Sequence, residues 1–124
     1  MPSQTYRSLE MWQTSHRWVL DIYSVSRSFP KSELYGLTSQ LRRAASSVPM
    51  NMAEGYGRRG IGDKLRFYNF AEGSLNEADY QLLLAHDLGY ADTRDLQAQA
   101  SAIARMLYGY TARLRRSGRD DTSI

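Results

Sequence analysis

The stretch Tyr35–Arg59, with the sequence YGLTSQLRRAASSVPMNMAEGYGRR, decides the fold of this 124-residue chain. Apolar and small side chains recur in it and just before it every three or four residues, which is the spacing of one helix face. They are Leu34, Thr38, Leu41, Ala45, Val48 and Met52. Pro49 interrupts this pattern, and a proline in a helix interior removes one hydrogen bond at a cost of about 3 kcal/mol. We therefore expect a helix that kinks or divides at Pro49, and that ends at the glycines from Gly55 onward.

The same spacing on either side of this stretch predicts three further helices. Phe29-Pro30 ends the first, because the residue before a proline is pushed out of the α region. We expect Asp63 to cap the start of the third helix and Gly89 to end it in a left-handed conformation. Gly73 falls inside that helix, where we expect it to permit the close approach of a neighbouring helix. The predicted helices cover residues 8–28, 33–55, 63–87 and 93–116, with a frayed polar tail at 117–124.

The fold class follows from the number of helices and their short connections. No segment alternates with the period of two that a half-buried strand requires. Four helices with short connections favour an antiparallel bundle with an up-down-up-down path. A chain of this length buries roughly two-thirds of its unfolded surface, which is enough for one core. We predict one all-α domain over residues 1–124, a four-helix bundle.

The first helix carries two apolar stripes, roughly 110° apart at 3.6 residues per turn. One stripe consists of Leu9, Trp12, His16, Val19 and Tyr23. The other consists of Met11, Ser15, Trp18, Ile22 and Val25. If the first stripe faces the core, with His16 as a buried histidine, then Met11, Trp18 and Ile22 form an exposed apolar patch, which usually marks a contact surface. We expect an interface between subunits there, and a wide core face on a monomer is the alternative.

Composition excludes several classes of protein. The chain has no cysteine, so neither a disulfide framework nor a thiolate metal site is possible. The N-terminal residues lack the apolar core of a signal peptide, and no run approaches the 18 apolar residues of a membrane span, which predicts a cytoplasmic protein without a membrane partner. The net charge is +3, with 14 arginines and 2 lysines. Arginine suits phosphate recognition, but a GC-rich coding sequence accounts for this ratio equally well.

Basic residues concentrate at two places in and near the deciding stretch. Arg42-Arg43 lies beside core positions of the second helix, and Gly55–Gly60 is a glycine-rich exit that matches the dinucleotide fingerprint G-x-G-x-x-G by letter. That fingerprint needs a preceding strand, whereas here a helix precedes it. The nucleic-acid-binding candidates are Arg42, Arg43, Arg58, Arg59, Lys64 and Arg66. The alternatives are a plain linker at the glycines, and a solvated face or an intersubunit salt bridge at the arginine pair.

Metal and catalytic sites are not predicted. Di-iron centres in four-helix bundles need Glu-x-x-His motifs, and neither His16 nor His86 follows a glutamate by three residues. The chain also has no cysteine nucleophile, no G-x-S-x-G elbow and no Walker lysine motif. We therefore expect no catalytic residue, no metal and no cofactor, and not an enzyme. The carboxylates expected to pair with Arg42, Arg43 or Arg66 are Glu54 and Glu72.

Together these features resemble one protein family, the four-helix-bundle proteins encoded by intervening sequences in bacterial 23S ribosomal RNA genes, which are also described as ribosomal-protein-like. The similarity extends from Leu9 to about Leu114. Its most specific elements are Trp12-Gln13, Phe29-Pro30, Tyr35–Ala44, Pro49, Asn51, Ala53–Gly55, Gly57-Arg58, Gly73-Ser74 and Leu88–Tyr90. The resemblance implies a kinked but continuous second helix, and a ring-shaped homo-oligomer that is most simply a pentamer.

The same resemblance carries two hypotheses about function. A related branch of the family is similar to the accessory proteins of diversity-generating retroelements, which bind nucleic acid through basic surfaces. This implies a basic ring that binds RNA or DNA, with Arg42, Arg43, Arg58 and Arg59 of each subunit on one rim. The alternative is a structural or protein-interaction ring with no nucleic-acid role. One basic face on the ring favours the first hypothesis, and internal salt bridges favour the second.

Overall fold

The computed structural model describes residues 5–122, with side chains as far as residue 118. Within these residues the chain forms four α-helices, α1 (Glu10–Ser26), α2 (Leu37–Gly57), α3 (Ile61–Asp87) and α4 (Arg94–Thr122). Short 3₁₀ turns precede the first two, at Tyr6–Ser8 and Lys31–Glu33. Each helix packs against the next, and α1 also packs against α4. The predicted all-α four-helix bundle is confirmed.

The core runs between the four helices. Its largest fully buried side chains are Trp18, Tyr68, Ile22, Leu41, Met52, Leu75, Leu82, Ile103 and Val48. The most extensive contact is between α2 and α3, where small residues let the backbones approach. Ser47 Oγ lies 2.8 Å from Ser74 Oγ across this contact. Gly55 faces the ring of Tyr68 so closely that a Cβ atom would stand 2.6 Å from it.

The face of α1 that points into the core is the second stripe, which was expected to be exposed. Met11, Trp18 and Ile22 are each at most 3% exposed in the single chain. Trp18 also donates its Nε1–H to the carbonyl oxygen of Leu96 on α4, at 3.0 Å. The prediction that Met11, Trp18 and Ile22 contact another subunit is therefore wrong, because these side chains fill the core of their own bundle. The angle between two stripes follows from the sequence, but which stripe faces inward depends on the helices that pack there.

The outer stripe of α1 exposes aromatic side chains, although Val19 of the same stripe is buried in the core. His16 is exposed, so its predicted burial is also wrong. Its imidazole stacks on the indole of Trp12, with ring centroids 5.0 Å apart, and Tyr6 meets Trp12 edge-on, also at 5.0 Å. Farther along α1, Leu20 and Tyr23 are exposed as well. The surface of α1 therefore carries large aromatic and apolar side chains from its start to its last turns.

The helix ends agree with the sequence at one place and differ at two others. Gly89 ends α3 with a φ of 77°, and the Tyr90 N–H bonds back to the Ala85 carbonyl at 2.9 Å, as in a Schellman turn. Asp63, however, does not cap α3, because that helix already begins at Ile61. The polar tail was expected to fray from residue 117, but α4 continues to Thr122. Residues 123 and 124 lie outside the described residues.

Pro49 and Gly73, which both disfavour a helix interior, lie inside continuous helices. α2 is one continuous helix through Pro49, whose side chain is buried. Gly73 is exposed, and a Cβ atom there would meet nothing within 4 Å. The expectation that Gly73 permits a close helix approach is therefore wrong. Gly55 has that role instead, because it is the glycine of the α2–α3 contact that faces a bulky ring.

Candidate nucleic-acid interface

The candidate basic residues form two clusters at opposite ends of α2. Arg42 and Arg43 lie in its second turn, and Arg58 and Arg59 follow its last residue. The 16 positions between Arg42 and Arg58 correspond to roughly 24 Å along a helix. Each chain therefore has a basic cluster near each end of α2.

The cluster near the start of α2 is a cleft of about 400 Å³. We call it the tyrosine–arginine cleft, and it is lined by Tyr23, Leu34, Tyr35, Ser39, Arg42 and Arg43. Tyr23 comes from the last turns of α1, and Leu34 and Tyr35 come from the segment between the two helices. The arginine pair was identified from the sequence, but the two tyrosines were missed. The sequence feature that could have indicated Tyr35 is the apolar pair Leu34-Tyr35, which stands immediately before Gly36 at the start of α2.

Arg42 is held in place at the wall of this cleft. Its Nε donates to Ser26 Oγ at 2.9 Å, and its Nη2 donates to the Tyr23 carbonyl oxygen at 3.3 Å. The guanidinium also lies over the Tyr23 ring, 4.8 Å from its centroid. A guanidinium has five N–H donors, so these two bonds leave three for a ligand. Arg42 is thus preorganised by neutral partners that leave its positive charge intact.

The charge of the tyrosine–arginine cleft is not neutralised by described side chains. Neither Arg42 nor Arg43 forms an ion pair within residues 5–118. Glu33, just before the cleft in sequence, is engaged elsewhere. One of its oxygens accepts the Tyr90 hydroxyl at 2.7 Å, and the other accepts the Leu37 N–H at 3.1 Å. These bonds hold the pKa of Glu33 below its ordinary value.

The cluster at the other end of α2 is largely compensated. Arg58 pairs with Glu54 at 3.0 Å and approaches Asp63 at 3.8 Å, and Arg66 pairs with Asp63 at 2.9 Å. Both guanidinium groups also cover the Phe67 ring, at 4.4 and 4.7 Å from its centroid. Glu54 therefore pairs with Arg58 rather than with the three arginines predicted for it. These ion pairs reduce the positive electrostatic potential at this end of α2.

The other two basic residues at this end of α2, Lys64 and Arg59, differ in their accessibility. Lys64 donates to the carbonyl oxygens of Tyr56 at 2.8 Å and Gly55 at 3.3 Å, so it caps the end of α2. Burial lowers the pKa of Lys64. Arg59 is exposed and has no ion pair with the side chains of residues 5–118. Of the four basic groups here, Arg59 is the one best placed to meet a phosphate.

The other predicted carboxylate and the histidines stay apart. Glu72 has no ion pair in the described part of the chain, and it shares a small cleft with Arg115 of α4. His86 accepts the Thr93 N–H at 3.3 Å at the end of α3, whereas His16 lies on α1 beside Trp12. Among the described residues, no three His, Cys, Asp or Glu side chains are grouped so that they could hold a metal. No described helix is both long and apolar enough to cross a membrane.

This basic, helical chain matches a known protein family. A family model described as 23S rRNA-intervening sequence protein matches residues 7–109. The chain belongs to this family. The match to the 23S rRNA-intervening sequence proteins includes both basic clusters and three complete helices, and it ends within α4. Among curated proteins, no relative matches the sequence.

Proposed function

We propose that this 23S rRNA-intervening sequence protein is a non-enzymatic, cytoplasmic protein that binds RNA or DNA as a basic homo-oligomer. The observation that carries the proposal is the uncompensated arginine pair, Arg42-Arg43, in the tyrosine–arginine cleft. Exposed guanidinium groups without carboxylate partners attract phosphates, and the phosphate backbone dominates the affinity of such interactions. The ribosomal RNA in the family's name favours RNA as the first ligand to test.

The relative importance of the six candidate residues follows from their partners. Arg42 and Arg43 are expected to contribute most to phosphate binding, and Arg59 contributes from the opposite end of α2. The remaining three already bond to other groups of the protein. Those three are Arg58, Lys64 and Arg66. An ion pair at an exposed site is weak, so a phosphate can still displace the carboxylate that pairs with Arg58 or Arg66. The displaced carboxylate then has no partner, which reduces the free energy gained on binding.

Self-association is the second part of the proposal, and its interface lies away from the core residues of α1. A single chain of net charge +3 has a weak field, and several copies in a closed ring would multiply it. Exposed apolar side chains available for subunit contact include Tyr80 and Leu83 on α3 and Tyr108 on α4. A ring of five subunits is the form that the family resemblance implies.

Fluorescence anisotropy with a labelled structured RNA and a labelled DNA duplex tests the binding proposal. Arg43→Gln should weaken binding and flatten its salt dependence, by about 0.9 in the log–log slope for each DNA phosphate that the variant no longer binds. Arg66→Gln removes the same formal charge from a guanidinium already paired with Asp63. This control should have the smaller effect. Light scattering on the same samples measures the number of subunits.

The alternative function is a structural or protein-interaction ring without a nucleic-acid role. The exposed apolar side chains of α3 and α4 support this alternative. If the wild-type protein retains neither RNA nor DNA even at low salt, the nucleic-acid proposal fails and the interaction role takes its place. A monomer at micromolar concentration would exclude the homo-oligomer.

A further inference from the structure

We infer that the tyrosine–arginine cleft accepts an unpaired nucleotide, so that this protein prefers single-stranded to duplex nucleic acid. The inference rests on the proposed function and adds the class of nucleic acid that this site selects. Two features at one place carry it, namely the open ring of Tyr35 and two guanidinium groups that form no ion pair with the described side chains. Together they match a ligand unit that has a flat, apolar face and a negative charge.

The aromatic component is Tyr35, which is 92% exposed. It precedes α2 and lines the cleft with Tyr23, which is 40% exposed on α1. A large ring left so open to water gains most from a flat partner that covers it. Nucleic-acid bases stack on such rings whatever their identity, because every base has a π-face. The guanidinium of Arg42, held over Tyr23, adds a second flat surface of the kind on which bases stack.

The charged component determines which flat ligand fits. Arg42 keeps three N–H donors beyond its bonds to Ser26 and to the Tyr23 carbonyl, and Arg43 is exposed. A guanidinium fork binds a phosphate through two parallel hydrogen bonds. A neutral aromatic ligand would leave the charges of Arg42 and Arg43 without a partner, and an acidic peptide would leave the Tyr35 ring uncovered. A nucleotide satisfies the charges and the ring at once.

The cleft, with its open Tyr35 ring, favours an unpaired nucleotide over a duplex. Its volume of about 400 Å³ lies near the lower limit of ligand pockets, which span about 300–1,000 Å³. Bases in a duplex are already stacked and expose only their edges, whereas single-stranded bases can splay out onto an aromatic ring. Stacking at Tyr35 is therefore available to a single strand and withheld from a helix.

The other basic cluster lacks this combination, which makes the assignment specific. There the Phe67 ring is already covered by Arg58 and Arg66, at 4.4 and 4.7 Å. Both arginines are also paired with carboxylates. The Phe67 stacking surface and these two charges are thus occupied by the protein itself, and the uncompensated charge that remains at that end is Arg59. Of these two clusters, the tyrosine–arginine cleft is the one that offers both to a ligand within the described side chains.

The experiment compares oligo-uridine with an RNA hairpin duplex, both labelled, in fluorescence anisotropy titrations of the full chain. Tyr35→Ala should weaken oligo-uridine binding by about 5- to 150-fold, which corresponds to about 1–3 kcal/mol for one stacked base. Its effect on the duplex should be less than about twofold, because a paired base gains no stacking there. Tyr35→Phe, which keeps the ring, should bind as the wild type does. Met50→Ala removes another exposed apolar side chain, from α2, and it should change neither affinity.

The outcomes separate this inference from the proposed function. If the wild type binds neither of these RNAs, nor the DNA duplex of the binding test above, the proposed function fails and the inference fails with it. If the wild type binds both in a salt-dependent manner but Tyr35→Ala leaves oligo-uridine binding unchanged, the inference alone is overturned. Light scattering of Tyr35→Ala completes the test. A change in the number of subunits would identify the cleft as a contact with a second copy of the chain, which also overturns the inference.

Discussion

Gly55 of α2 lies against the ring of Tyr68 on α3, and a methyl group at Gly55 would stand 2.6 Å from Cε1 of that ring. Tyr68 cannot easily move away, because it is 1% exposed and Tyr110 of α4 packs against it edge-on at 5.4 Å between centroids. Burial also raises the pKa of the Tyr68 phenol. The distance between α2 and α3 at this point therefore depends on the absence of a side chain at residue 55.

Gly55→Ala should destabilise the bundle even though alanine is the better helix former. The substitution gains about 1 kcal/mol of helix propensity, but overpacking a rigid core typically costs about 1–3 kcal/mol. We expect a lower midpoint in urea denaturation. The matched control is Gly73→Ala on α3, where a Cβ atom meets nothing within 4 Å. This control should raise stability by up to about 1 kcal/mol, and equal effects of the two substitutions would contradict the proposed contact.

Gly89→Ala should also destabilise the protein, through backbone conformation rather than packing. Gly89 has a φ of 77°, and a Cβ atom at this residue would meet nothing within 4 Å. An L-residue in the left-handed region is unfavourable by roughly 1–2 kcal/mol. Thermal unfolding followed by circular dichroism measures the effect. An unchanged midpoint would mean that α3 can end in another conformation.

The bond between Glu33 and Tyr90 predicts a loss of stability in acid. Because the bonds from Tyr90 and from the Leu37 N–H lower the pKa of Glu33 from its ordinary 4.5, the folded state favours the ionised carboxylate. This contribution is complete above that value and is lost as the pH falls through the lower, folded-state pKa. In urea denaturation at pH 7 and at about pH 3, Glu33→Gln should lose less stability than the wild type. Identical pH profiles for the two proteins would contradict this.

Trp18→Phe should weaken the fold of the single chain and leave its association unchanged. The substitution removes the hydrogen bond to the Leu96 carbonyl, a net contribution of about 0.5–1.5 kcal/mol, and it places a smaller ring in a fully buried position. Trp12→Phe, at a half-buried position on the outer stripe, is the control with the smaller effect on stability. Denaturation measures the loss, and light scattering gives the number of subunits. Dissociation of a still-folded Trp18→Phe variant would contradict the core position of Trp18.

Much of the fold was predictable because it depends on short-range regularities. The stop at Gly89 was predicted because only a glycine readily adopts a left-handed end to a helix. Arg42 and Arg43 were recognised as a basic pair because they are adjacent in sequence. The exact start of α3 was missed, since Asp63 has the residue type of a cap but Ile61 already begins the helix. The preference of one residue type does not decide between neighbouring starting points.

The sequence by itself determined four helices and their approximate lengths, because backbone hydrogen bonding and side-chain sterics act within a few residues. The tertiary structure decided that Trp18 rather than His16 faces the core, and that Gly55 rather than Gly73 sits at a close contact. It also brought Tyr90 to Glu33 from 57 residues away. The ion pairs Arg58–Glu54 and Arg66–Asp63, by contrast, join residues three or four positions apart. Burial and the Glu33–Tyr90 bond depend on which helices become neighbours, and residues so far apart along the chain carry no local signal of their contact.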